Sequence, residues 1–204
     1  MEVKAANDSG GVGMLGMWAV LVDTSGVVCA VANTEEGNLS VNAELAHRIL
    51  AAHKANTSNI FSNNKATTAS GQLYTQSLPG GTLYNVNLDS KVDPYSGNVR
   101  NFGTLKDPLI GKRIGGFSSL AGGLGLYDAK KTKVGAIGVS GNSRCTDHLV
   151  AWKIRDKLAG GAYVSSNIPG GFSPLGNDAL VLDVSPDPTG SGGPGYSPRG
   201  LEQA

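Results

Sequence analysis

The chain is short of aromatic residues (6%), of charged residues (16%) and of cysteine, with two in 204 residues. Basic and acidic residues nearly cancel, 17 against 16, and no basic stretch is interleaved with aromatics. That balance argues against a nucleic-acid surface. No apolar run approaches the ~20 residues a membrane-spanning helix needs. Met14–Val22 is apolar but short, and Asp23 ends it. No signal peptide is visible, and the opening MEVKAANDSGG reads as a mature N-terminus behind an added methionine. Cys29 and Cys145 permit one disulfide, which would argue for an oxidising compartment. Two buried free thiols are the alternative. Zinc spacing is also missing. His47 and His53 lie on different sides of one expected helix, and a Cys145/His148 pair alone lacks the ligand count of a structural metal site.

Glycine is plentiful, 30 residues, about double the average usage. It gathers at segment ends, as turns and close packing require. Met17–Asp23 and Val27–Ala32 read as a β-hairpin around Asp23-Thr24-Ser25-Gly26. Trp18, Val20 and Val22 fall on one face, and Met17, Ala19 and Leu21 on the other. Both faces are apolar, so both should be covered. Ser40 or Asn42 can cap a helix from about Ala43 to Phe61. Its expected stripes are Leu45, Ile49, Ala52 and Asn56, with Ala46, Leu50, His53 and Thr57 beside them. A shorter helical stretch near Thr68–Ser77 ends at Pro79-Gly80-Gly81. Residues 82–112 read as irregular, with extended pieces such as Thr82–Val86. Leu120–Asp128 and Lys133–Ser140 form a second hairpin. A last helix, about Arg144–Leu158, starts at an Asn142 or Ser143 cap, buries Val150, Ile154 and Leu158, and stops at Gly160-Gly161. Of the Gly/Pro-rich remainder, Ala179–Val184 could add an edge strand. The domain expected is 14–160, with an arm at 1–13 and an extension at 161–204. Two hairpins joined by a helical segment predict one antiparallel sheet with helices packed on it.

The most informative stretch is Val134–Trp152: strand, Gly-Ser-Gly turn, helix. It gathers Arg144, Cys145, Asp147 and His148 where a helix start offers unpaired N–H groups. Gly11-x-Gly13-x-x-Gly16 has the letters of a dinucleotide fingerprint but precedes a strand, which excludes it. Gly138-Val139-Ser140-Gly141 resembles a nucleophile elbow, with Asn142 where the fifth glycine belongs. The plain reading of each histidine is a surface or interface side chain. Lys54 and Thr57, one turn apart, read either as a solvated lysine beside a threonine bonded to its own helix, or as a lysine held against a carboxylate.

Four motifs in order carry a resemblance. They are AVLVDTSG in the first hairpin, HKANTS on the helix, LAGGLGLYD, and KVGAIGVSG followed by Asp147. Together they resemble the GlcG/HbpS-like haem-binding (haem-degrading, DUF336-type) family, which includes the C-terminal domain of some cobalamin adenosyltransferases. Lys54-Ala55-Asn56-Thr57-Ser58 matches the family's K-A-x-T-A except at the last place. Gly122-Gly123-Leu124-Gly125-Leu126 lacks the proline of its G-G-x-P-[IV]. The G-[AV]-[IV]-G-V-S-G strand matches fully.

The resemblance implies an α/β (α+β) profilin-like three-layer sandwich with a central antiparallel sheet, assembled as a homo-oligomer with haem bound between subunits. It implies a non-catalytic storage, sensing or transfer role. The alternatives are a haem-degrading or other small-molecule enzyme, or an oligomeric scaffold with a vestigial pocket. Its branch commonly carries export signals, which favours a periplasmic or secreted location. By the chemistry of haem iron, His148 is the first candidate ligand and His53 the second. Lys54 and Arg144 could pair propionates, beside Thr57 and Asp147. Gly122, Gly123 and Gly138 would let a flat macrocycle lie on the backbone. The geometric expectation is a glycine bend before the last helix that opens onto a cavity walled by the Lys54 helix or its copy.

Overall fold

The computed structural model describes residues 16–34, 42–86, 88, 93–171, 173 and 175–180. The arm at 1–13, the Ser40 cap and residues 181–184 lie outside these. Four strands, β1 (Trp18–Asp23), β2 (Val28–Asn33), β3 (Gly123–Tyr127) and β4 (Lys133–Ser140), form one antiparallel sheet in the order β2-β1-β4-β3. Three helices accompany it, α1 (Asn42–Phe61), α2 (Tyr74–Ser77) and α3 (Arg144–Lys157). The result is the expected α+β sandwich, with the two hairpins joined through β1 and β4.

Both hairpin turns use the same device. The Asp23 carboxylate accepts from the N–H of Ser25 and Val27, at 2.8 and 2.9 Å. Asp128 does the same for Lys130 and Thr132, both at 2.9 Å. A carboxylate bonding backbone a few residues on holds the loop in its turn.

The alternation read from β1 decides the layers. Trp18, Val20 and Val22 join Val28, Val31, Ala136, and Ala51, Ala52 and Ala55 of α1 in one core. Met17 and Ala19 join Leu124, Leu126, Ile137, Val139, and Val150, Ala151 and Ile154 of α3 in the other. Leu158 packs partly buried against that second core, and Ser143 caps α3 by accepting from Thr146 N–H.

The apolar stripes expected on α1 hold only in part. Ala51 and Ala55 face the sheet, whereas Ala46 is exposed and Leu50 half-buried. The helix also buries Arg48, Lys54, Asn56, Thr57, Ser58 and Asn59, so it carries little apolar periodicity. Arg48, Asn56 and Thr57 are covered by the segment after residue 93, whereas Lys54 is buried on the sheet side against β4 and α3. Phe102, Leu109 and Ile114 from that segment complete the α1 core. Arg48 pairs with Asp107 through two hydrogen bonds, donates to the Pro94 carbonyl at 2.7 Å, and stacks on Phe102.

The shorter helical stretch expected near Thr68–Ser77 is present, as a 3-10 turn at Ser70–Leu73 running into the short α2. One local expectation is corrected: Thr82–Val86 forms turns rather than an extended piece. Described residues after 160 contact the domain: Asp178 forms a buried pair with Arg155 at 2.5 Å and accepts from Thr67 at 3.2 Å, and Gly171 bridges Thr67 in parallel. Among the described residues, no helix is long and apolar enough to cross a membrane.

Candidate functional site

Strand β4 ends at Ser140, the chain bends through Gly141–Ser143, and α3 begins at Arg144. Lys54 of α1 reaches this bend. Its ammonium donates to the Val139 carbonyl (2.9 Å), to Ser140 Oγ (3.1 Å) and to Asp147 Oδ2 (2.7 Å). Three protons thus meet three acceptors. Asp147 accepts in addition from Asn142 N–H at 2.9 Å. Lys54 and Asp147 are 1% and 2% exposed, so the pair sits away from water.

Burial pushes the Asp147 carboxyl up to about 6, with the Lys54 charge and hydrogen bond opposing it. Burial likewise pulls the Lys54 ammonium down, against the pull of Asp147. The two shifts agree in meaning: mutual attraction does not fully offset desolvation, as for many buried ion pairs.

His47 lies two helical turns before Lys54 on α1. Its Nδ1 stands 3.2 Å from Ser140 Oγ. The ring is half-buried, and burial followed by the nearby Lys54 charge lowers its pKa. Arg144, half-buried, stacks on the Tyr74 ring with 4.7 Å from guanidinium carbon to ring centre.

The sequence candidates therefore divide. Lys54 and Asp147 come together, with Arg144 near enough for its charge to act on Lys54. Lys54 is held against a carboxylate as one reading anticipated, and every proton it has is already placed. In this state it has none left for a propionate. Thr57 is fully buried, donates to the His53 carbonyl at 2.8 Å and accepts from Ser118 N–H at 2.8 Å. It ties its own helix to the wrapping segment.

The three glycines pack protein against protein. A Cβ on Gly138 would run into the Ala51 carbonyl, and one on Gly123 into the Lys54 carbonyl. A Cβ on Gly122 would meet the Val139 carbonyl and the Asp147 Cβ, and its φ of +117° is a backbone that side chains rarely adopt. They bring α1 and the bend close to the sheet, where a ligand seat had been expected. The space between the bend and α1 is occupied by the Lys54 side chain.

His148 lies in α3, 4% exposed, beside Trp152 at 6.0 Å between ring centres. Neither of its ring nitrogens has a partner, and burial lowers its pKa to about 4. His53 is half-buried, with Nε2 enclosed and unpartnered under Gly116. The residue the sequence reading passed over is His47. It had been weighed only as a zinc partner of His53. Its spacing of two turns from Lys54 was the available signal, because residues seven apart share a helix face.

The disulfide expectation is corrected: Cys29 and Cys145 are both free, Cys29 exposed and Cys145 buried. Register explains it. Val28 pairs with Val22, which pairs with Ala136, while Ser140 pairs with Trp18 at the other end of the sheet. Cys29 thus sits near the Val22 end of β1, whereas the bend into the Cys145 helix leaves from the Trp18 end.

These features define a small α+β sandwich with a polar relay at the end of its central strand. No family model and no curated protein matches the sequence. Among solved structures, the chain is similar to a PduOC:heme complex, with a TM-score of 0.50 and 20% identity over 79% of this chain and 93% of that one. It is also similar to Klebsiella pneumoniae protein ORFY, of the DUF336 family, with a TM-score of 0.45 and 18% identity over 74% of this chain and 81% of that one. The first likeness shows the fold, and it is the fold that the GlcG/HbpS-like (DUF336-type) resemblance implies.

Proposed function

We propose that this chain binds haem, or a related tetrapyrrole, on the face formed by the first half of α1, the Ser140–Ser143 bend and the start of α3. The role proposed is non-catalytic: storage, sensing or transfer. The observation that carries this reading is the shared fold with a protein crystallised with haem, across most of both chains. The donor chemistry of the site fits the group. Haem iron takes imidazole, and His47 presents a half-buried one at the bend. Propionates pair with guanidinium groups, and Arg144 lies at the start of α3, next to the bend.

Assembly as a homo-oligomer, with a second copy completing the site, rests on the family resemblance. So does a periplasmic or secreted location. One specific observation favours a second reading, an oligomeric scaffold with a vestigial pocket: the Lys54–Asp147 pair is internally saturated.

Purification from haem-supplemented cells, followed by an absorption spectrum and native mass, decides between them. The proposal expects a shifted Soret band, saturable on titration with haemin, and a mass above that of one chain. A robust oligomer with no Soret change supports the scaffold. Bleaching of the band with a reductant and oxygen would instead make the protein haem-degrading.

A further inference from the structure

We infer that His47 is the side chain that meets the ligand, presenting Nε2 outward, and that Ser140, anchored by Lys54 and Asp147, positions its ring. This rests on the haem reading above and names the residue that reading lacks.

The chain has three imidazoles, and burial separates them. His148 is 4% exposed, so a macrocycle does not reach it. The Nε2 of His53 is enclosed, and the backbone of Gly116 lies over the ring. His47 alone is half-buried with an Nε2 that is neither enclosed nor hydrogen-bonded among the described residues.

The groups behind the ring supply its orientation. The Lys54 ammonium gives one proton to Ser140 Oγ and fixes that oxygen in space. Asp147 and the Val139 carbonyl take the other two protons and fix the ammonium. Ser140 Oγ keeps a second lone pair, 3.2 Å from His47 Nδ1. An N–H at Nδ1 can donate to it, which leaves the lone pair at Nε2 facing outward. Iron or another borderline Lewis acid at Nε2 selects that tautomer. The supporting group of His47 is thus a hydroxyl held by a buried ion pair, in the place where a carboxylate or carbonyl often stands behind a ligating histidine.

The test compares the wild-type chain with His47→Ala, Ser140→Ala and His148→Met, each checked for folding by circular dichroism and titrated with haemin. His47→Ala should lose the wild-type Soret signature and regain it with added imidazole. Ser140→Ala should bind roughly 10–100-fold more weakly, the usual cost of losing a second-layer partner. His148→Met should keep the wild-type spectrum. An unchanged spectrum in His47→Ala, or its loss in His148→Met, overturns the inference while leaving haem binding in place. A wild type that takes up no haemin fails the haem reading instead. Diethylpyrocarbonate then judges the accessible imidazole alone: His47 should be modified first, and equal reactivity of His53 or His148 overturns the assignment.

Discussion

Lys54 and Asp147, 93 positions apart in sequence, meet at 2.7 Å around the end of β4 and tie α1 on one face of the sheet to α3 on the other. The contact joins both outer layers of the sandwich through one buried charge pair. Its neighbours, Ser140 and the Val139 carbonyl, belong to the strand between those layers.

Removing one partner leaves the other charge buried and unpaired. Lys54→Met should cost ~3–5 kcal/mol, and Asp147→Asn should cost less, because the folded protein already disfavours the charged carboxylate. The double variant Lys54→Met/Asp147→Leu should lose much less than the sum, because no charge is then stranded. Urea unfolding of the four proteins as a double-mutant cycle measures the coupling; strict additivity would mean that the pair is not formed.

Two titrations at this end of the protein oppose each other. The folded pKa of Asp147, about 6, lies above the ordinary 3.8. Its contribution is therefore fully present below 3.8 and lost as pH rises through 6. The folded pKa of His148, about 4, lies below the ordinary 6.5. Its contribution is present above 6.5 and lost as pH falls through 4. Each is on the order of 3 kcal/mol at ~1.4 kcal/mol per unit. Between pH 4 and 6 the slopes offset. Asp147→Asn should make stability climb with pH in that window, and His148→Met should make it fall. Unfolding midpoints taken every half unit would show both trends, and parallel profiles for the two variants would rule them out.

The His148 ring also carries an uncompensated cost at neutral pH, because neither nitrogen has a partner. His148→Met keeps the volume and removes the polar atoms. It should be neutral or stabilising by ~1 kcal/mol at pH 7. A loss of several kcal/mol in thermal unfolding would reveal a partner for that ring.

Gly138→Ala and Gly111→Ala separate close packing from backbone freedom. At Gly138 the new methyl collides with the Ala51 carbonyl, so α1 must move and the cost should exceed ~3 kcal/mol. At Gly111 nothing lies within 4 Å, but φ is +82°, so the strain should be ~1–2 kcal/mol. Thermal unfolding ranks the two; equal losses would mean that helix and sheet are not in contact at Gly138.

Maleimide labelling reads the cysteines. Cys29 should react in the folded protein and Cys145 only on unfolding, since one is exposed and the other buried. A single reactive thiol in the native state is the expected count, and none would indicate a bridge.

The strands were legible because their periodicity is short and local. Alternation at Trp18, Val20 and Val22 against Met17 and Ala19 named both cores. The turn aspartates and the Ser143 cap act within a few residues of themselves. α1 was legible as a helix but not in its facing. It buries Arg48 and Asn56 under a wrapping segment and Lys54 against β4 and α3, and a polar residue bears no mark of burial until its partner is known. The buried Lys54–carboxylate contact was anticipated as a possibility, and its partner needed the fold. The Gly122, Gly123 and Gly138 backbone was legible as a place of close approach, but not as one where helix rather than ligand approaches.

The sequence by itself determined the four strands, the long helices and their order, because hydrogen bonding and side-chain alternation along a segment depend on neighbours a few residues away. Tertiary structure decided which charges pair, which histidine is enclosed and which faces the bend, and that the two thiols stay apart. Those outcomes depend on distances between segments far apart along the chain, and register and helix placement set those distances only once the layers have packed.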